Sequence, residues 1–79
     1  METSYTFEDK DLLQKVGERI RHFRTKAGLS QERLSFESDL DRTYIGSVER
    51  GERNIALINL NKLAKALNVS ISKLLEIET

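Results

Sequence analysis

The residues best equipped for chemistry lie between positions 40 and 51, in the run LDRTYIGSVERG. Read as a short helix, this run places Arg42, Thr43, Gly46, Ser47 and Arg50 on one face, with Tyr44 at its edge, and Leu40, Ile45 and Val48 on the other. Two guanidinium forks, two hydroxyls and a phenol offer directional hydrogen bonds, and the glycine lets another surface come close. The chemistry on offer is recognition, not bond making.

Candidates for reaction chemistry are weak elsewhere. His22 is the sole histidine, and a hydrolytic triad built on it would need an orienting carboxylate, an oxyanion hole and a pocket, which so short a chain seldom supplies. With no cysteine there is neither a disulfide nor a thiolate metal site, and the composition suits a reducing compartment. A lone histidine without an HExxH-type pair argues against zinc, and Asp39 and Asp41 read as a turn and a cap, not a calcium loop. The glycine-rich patterns that cradle nucleotide phosphates are absent. The expectation is no enzyme, no metal and no cofactor.

Holding the recognition face in place falls to helices, since period-2 alternation is missing and there is no proline. Asp41 is a good N-cap for the central helix and Gly51 a good left-handed stop. Upstream, Ser30 caps a helix over about residues 31–37 with Leu34 inward, and Asp39 takes the left-handed position of the turn at 38–40. The first helix begins near Thr6, which pairs with Asp9 as a box-like cap, and runs to Ala27 ahead of Gly28. Its stripe is Leu12 or Leu13, Val16, Ile20, Phe23 and Ala27. Lys15, Arg19, Arg21 and Lys26 lie off that stripe, either as a solvated face or with one or two of them on phosphate.

After a polar loop at 52–54, a fourth helix over about Leu57–Leu67 carries Leu57, Leu60, Leu63, Ala64 and Leu67 as a core stripe and ends at Asn68. Ser70 caps a last short helix over 71–76. Ile58, Ile71 and Ile77 are more apolar residues than so small a domain readily hides, and Ile71, Leu74, Leu75 and Ile77 are the candidates for a dimer seam.

The totals bound the partners. Seventy-nine residues make one small domain that buries only about 60% of its unfolded surface. Formal net charge is +0, from 13 basic and 13 acidic residues. Setting aside Lys10 and the six acidic residues of the two ends (Glu2, Glu8, Asp9, Asp11, Glu76, Glu78) leaves 12 basic against 7 acidic residues in the body. A basic patch can therefore coexist with a neutral total, and patch potential governs docking on phosphates. No run approaches the ~20 apolar residues of a membrane span, and the acidic start is unlike a signal peptide, so the chain is expected to be soluble and cytoplasmic.

Two short helices joined by a tight turn, the second basic and polar on its free face, form a helix-turn-helix arrangement. Leu29-Ser30-Gln31-Glu32-x-Leu34, then the run from Leu40 to Gly51, then Leu63-Ala64-Lys65-Ala66-Leu67-Asn68-Val69-Ser70 together resemble the Cro/C1-type (Xre-like) repressor domain over roughly residues 16–75. Within that family DRTYIxxxERGxRN is most similar to the controller proteins of restriction–modification systems. The resemblance implies an all-α, five-helix lambda-repressor-like fold; the chain is expected to be a single domain over 1–79, with 1–7, which lies outside the match, as a flexible segment. It implies a transcriptional regulator, repressor or activator, that binds a palindromic operator in double-stranded DNA as a homodimer, without a small-molecule effector.

Roles follow by position. Arg42 and Thr43 would reach base edges, with Tyr44 and Ser47 as the next candidates. Gln31, Arg50, Arg53 and Asn54 would hold phosphates. Arg24 and Glu49 match an ion pair between the first helix and the end of the recognition helix. The sequence departs from the family at Ile55-Ala56, where a Pro-Ser or Pro-Thr start is common, and at Gly46, where Ser often follows Tyr-Ile. An alternative reading from another class is a protein-interaction module, an antitoxin or adaptor, on the same fold. Binding of random duplex that collapses with salt separates the two.

Overall fold

A computed structural model describes residues 4–78. Local chemistry sets the ends of its five helices. Thr6 and Asp9 close the first, α1 (Phe7–Lys26), as a reciprocal capping box, each side chain accepting the other's backbone N–H at 2.9–3.0 Å. Ser30 caps α2 (Gln31–Ser38) by accepting from the Arg33 N–H, and Asp39 ends it in the left-handed region at φ 60°. Asp41 Oδ1 accepts from the Thr43 and Tyr44 N–H groups at 2.7 and 3.4 Å and starts α3 (Arg42–Glu49). Of the flexible segment expected at 1–7, residues 1–3 lie outside the described residues, and Thr6 and Phe7 are the capped start of α1.

The fourth helix, α4 (Leu57–Leu67), begins at Ala56 with no side-chain cap and stops at Asn68, also left-handed at φ 59°. The last, α5 (Ile71–Leu74), is a single turn capped by Ser70, shorter than the span expected to residue 76.

The helices converge on one core. Val16, Ile20, Leu34, Ile45, Val48, Leu60, Leu63, Ala64, Leu67 and Leu74 are buried together, with every helix represented. Two expectations need correction here. Leu74 is fully enclosed by this core, because the short α5 folds back over α1 and α4, so it is unavailable to a dimer seam. Leu57 goes the other way: it sits in the first turn of α4, ahead of the buried stripe, and is 68% exposed.

A close approach occurs where α1 crosses α3. A Cβ on Gly17 would collide with the carbonyl oxygens of Val48 and Glu49, so backbone rests on backbone at this point. A second close approach follows at Gly51, whose φ of +77° and contact with the Gln14 backbone both favour glycine. The carboxy-terminal segment is clipped to α1: Arg19 donates to the Lys73 carbonyl and pairs with Glu76, each at 2.9 Å, and Lys15 donates to the Glu78 carbonyl at 2.7 Å. Lys15 and Arg19 thus serve the tail. Among the described residues no helix is long and apolar enough to cross a membrane.

Candidate nucleic-acid interface

The α2–turn–α3 unit is held from inside. Ser35 donates its hydroxyl to the Leu40 carbonyl, and the Leu40 N–H donates to the Ser35 carbonyl at 3.3 Å, which ties the turn at both its edges. Leu34 and Ile45 then pack as fully buried neighbours of the core. The Asp41 cap leaves the side chains of the following turn unused.

Arg42 and Thr43 occupy that turn, both exposed. Among the described residues Arg42 has no carboxylate within ion-pair distance, and neither side chain donates a hydrogen bond to the protein. They are free to meet an external acceptor. Tyr44 is half-buried and turned toward α4, where its hydroxyl accepts from Asn59 Nδ2 at 3.1 Å. The Arg53 guanidinium stands 5.5 Å from the Tyr44 ring centroid, in cation–π range, so the ring seats an arginine.

Gly46 and Ser47 differ from the outward placement expected of them. Both are buried, Ser47 at 8% exposure with its hydroxyl donated to the Tyr44 carbonyl at 2.7 Å, so it has little to offer a base edge. Gly46 is covered by its neighbours: a Cβ there would stand 3.2 Å from Arg50 Nη1 and 3.5 Å from Gln31 Oε1. The outward face of α3 is partly roofed by those two side chains.

The last turn of α3 is a hub. Glu49 receives Arg24 Nε at 2.6 Å and Arg24 Nη2 at 3.0 Å, a bidentate pair, and Gln31 Nε2 at 3.0 Å. Arg24 Nη1 also donates to the Leu29 carbonyl at 2.8 Å. The pair's side chains are 11% and 3% exposed, so one buried carboxylate joins α1, α2 and α3. Gln31 therefore has its amide nitrogen occupied and its oxygen beside Gly46, while its place at the start of α2 is kept.

Beyond the hub, Arg50 is exposed and pairs with Glu52, Nε to Oε2 at 2.9 Å and Nη2 to Oε1 at 3.1 Å. The hydrogen bond from Arg50 holds the Glu52 carboxyl below the usual carboxylate range, and the same bond raises the basicity of Arg50. Arg53 and Asn54 follow, both exposed. The sequence reading missed Asn59 and Glu52. Nothing in the order of residues links Asn59 to Tyr44, 15 positions away, whereas the alternation of charges in Arg50-Gly51-Glu52-Arg53 was a signal for the second pair.

His22 is exposed and edge-on to Phe23, with ring centroids 5.2 Å apart, and no cluster of histidine and acidic residues suited to a metal occurs among the described residues. What the surface does present is an open first turn of α3, followed by arginines and an amide at the helix's end. The control protein C.SmaI of Serratia marcescens is 54% identical to this chain over 65 residues, covering 82% of this chain and 77% of that protein. The crystal structure of the restriction–modification controller protein C.AhdI from Aeromonas hydrophila superposes with a TM-score of 0.77 at 55% identity, covering 78% of this chain and 94% of that one. That of SinR, a Bacillus subtilis master regulator for biofilm formation solved in complex with DNA, gives 0.75 at 31% identity, covering 77% and 98%. Residues 20–74 match the helix-turn-helix family, and with these relatives the chain belongs to the Xre-like helix-turn-helix transcriptional regulators.

Proposed function

We propose that this protein is a restriction–modification controller: a cytoplasmic, non-enzymatic regulator that binds a palindromic operator as a homodimer and needs no cofactor or effector. The observation that carries the reading is the state of Arg42 and Thr43, exposed and unengaged at the head of a helix whose other end is fixed to two neighbouring helices. An arginine there suits the O6/N7 edge of guanine, and the threonine can meet either a donor or an acceptor. Tyr44 supports them through the seat it makes for Arg53. Arg50, Arg53, Asn54 and the start of α2 at Gln31 hold backbone phosphates and set the register.

The dimer seam falls on Leu75, Ile71 and Ile77, extended by Leu57 and Leu12. Leu12, Leu57 and Leu75 all line one groove between α1 and α4, at 44%, 68% and 44% exposure. Apolar area of this kind on so small a domain favours a second copy, and a twofold pair would set the recognition helices about 34 Å apart, one turn of duplex.

Selection of bound sites from random duplex by the full chain tests both halves of the reading. A palindrome with half-sites about one helical turn apart is the expected result. Failure to retain any duplex at low salt sinks the DNA reading and favours the interaction module, and asymmetric sites without spacing sink the dimer.

A further inference from the structure

Arg50 faces the DNA side with one of its two forks already taken by a partner. Its Nε and Nη2 both point into the Glu52 carboxylate, two parallel bonds at 2.9 and 3.1 Å, while Nη1 lies beside Gly46 near Gln31. That leaves the guanidinium on the outward side of α3, with its side-on Nε/Nη2 fork filled and Nη1 without a hydrogen-bond partner among the described residues. A carboxylate and a phosphate present the same pair of anionic oxygens to such a fork. Both side chains are more than half exposed, so the pair itself adds little stability, and its exchange for another anion is accessible.

We infer that Glu52 is a resident phosphate mimic: it occupies the phosphate-binding fork of Arg50 and weakens binding to duplex of every sequence. The inference rests on the DNA reading above. Glu52 acts through Arg50 and touches no base; side-on docking of a phosphate must replace an internal anion with an external one, and end-on docking brings the phosphate beside that anion, so Arg50 adds less affinity than an unpaired arginine would. The hydrogen bond from Arg50 holds the Glu52 carboxyl below its usual range, which favours the charged form of this competitor. Glycine at position 46 leaves room for this arrangement, since a Cβ there would stand 3.2 Å from Nη1.

The test is a titration of a mixed-sequence duplex, across a series of salt concentrations, with the wild-type chain and the Glu52→Gln, Arg50→Ala and double variants. Glu52→Gln is expected to bind roughly fivefold more tightly at low salt, with a log–log salt slope steeper by about one counterion, and to melt at the wild-type temperature. In the Arg50→Ala background the same change is expected to bring no gain. Equal or weaker binding by Glu52→Gln overturns the inference. So does an equal gain with or without Arg50, since Glu52 would then act as a general repulsive charge. If the wild-type chain binds no duplex at all, the DNA reading itself fails, a result distinguishable from either of these.

Discussion

The two ends of α3 are built on opposite terms. At its start, Arg42 and Thr43 stand exposed and the protein uses only the backbone N–H groups of this turn, through Asp41. At its end, Glu49 is buried and bonded to Arg24 and Gln31, and the backbone of Val48 and Glu49 lies against Gly17. Eight residues thus hold a surface that has invested nothing in the fold and an anchor that has invested heavily. Substitutions at the anchor should register as stability, and substitutions at the surface as sequence preference.

The largest effect is expected from Glu49→Ala, which strands Arg24 inside the structure. Removing one partner of a buried pair costs about 3–5 kcal/mol, a large part of the total for a domain this size, and urea unfolding followed by circular dichroism measures it. Next comes Gly17→Ala, expected to cost about 3 kcal/mol because the new methyl meets backbone oxygens that cannot rotate away. A loss under half of that would mean α1 and α3 separate without strain, and the contrast between the ends would blur. Arg42→Ala is expected to leave the melting temperature unchanged while costing about 1–3 kcal/mol at one base position, read by competition gel shift against single-base variants of the selected site. A fall in melting temperature here would break the comparison outright. The smallest effect belongs to Ser38→Ala. The Ser38 hydroxyl is buried with no hydrogen-bond partner among the described residues, so its removal is expected to stabilise by about 1 kcal/mol without altering DNA binding.

Apart from the end of α5, expected at 76 and found at Leu74, the helix ends were legible in the sequence because each depends on two or three neighbouring residues. Thr6 with Asp9, Ser30, Asp41 and Ser70 are caps whose partners lie within three positions, and Asp39 and Gly51 mark turns through their own backbone preferences. Side-chain placement on α3 was less so. A helix of eight residues shows little more than two turns of periodicity, and Ser47 and Gly46 lose their exposure to neighbours that the period cannot see: the Tyr44 carbonyl, Gln31 and Arg50. Leu74 and Leu57 exchanged their expected places for the same reason, since burial at the ends of α4 and α5 depends on how short helices fold back over α1. The Arg24–Glu49 pair spans 25 positions and was reachable only through the family resemblance. Asn59 on Tyr44 was beyond either route.

Backbone-on-backbone contact at Gly17 has a consequence for how such a protein can change over generations. The seat of α3 is made of main-chain atoms, the core side chains Ile45 and Val48, and one interior carboxylate with its partners, none of which involves the side chains at 42 and 43. Exchanges at these two positions leave the contacts that hold the helix untouched. On the proposed reading of Arg42 and Thr43, a lineage can move from one operator to another through single exchanges at the head of the helix, keeping a working fold at every step.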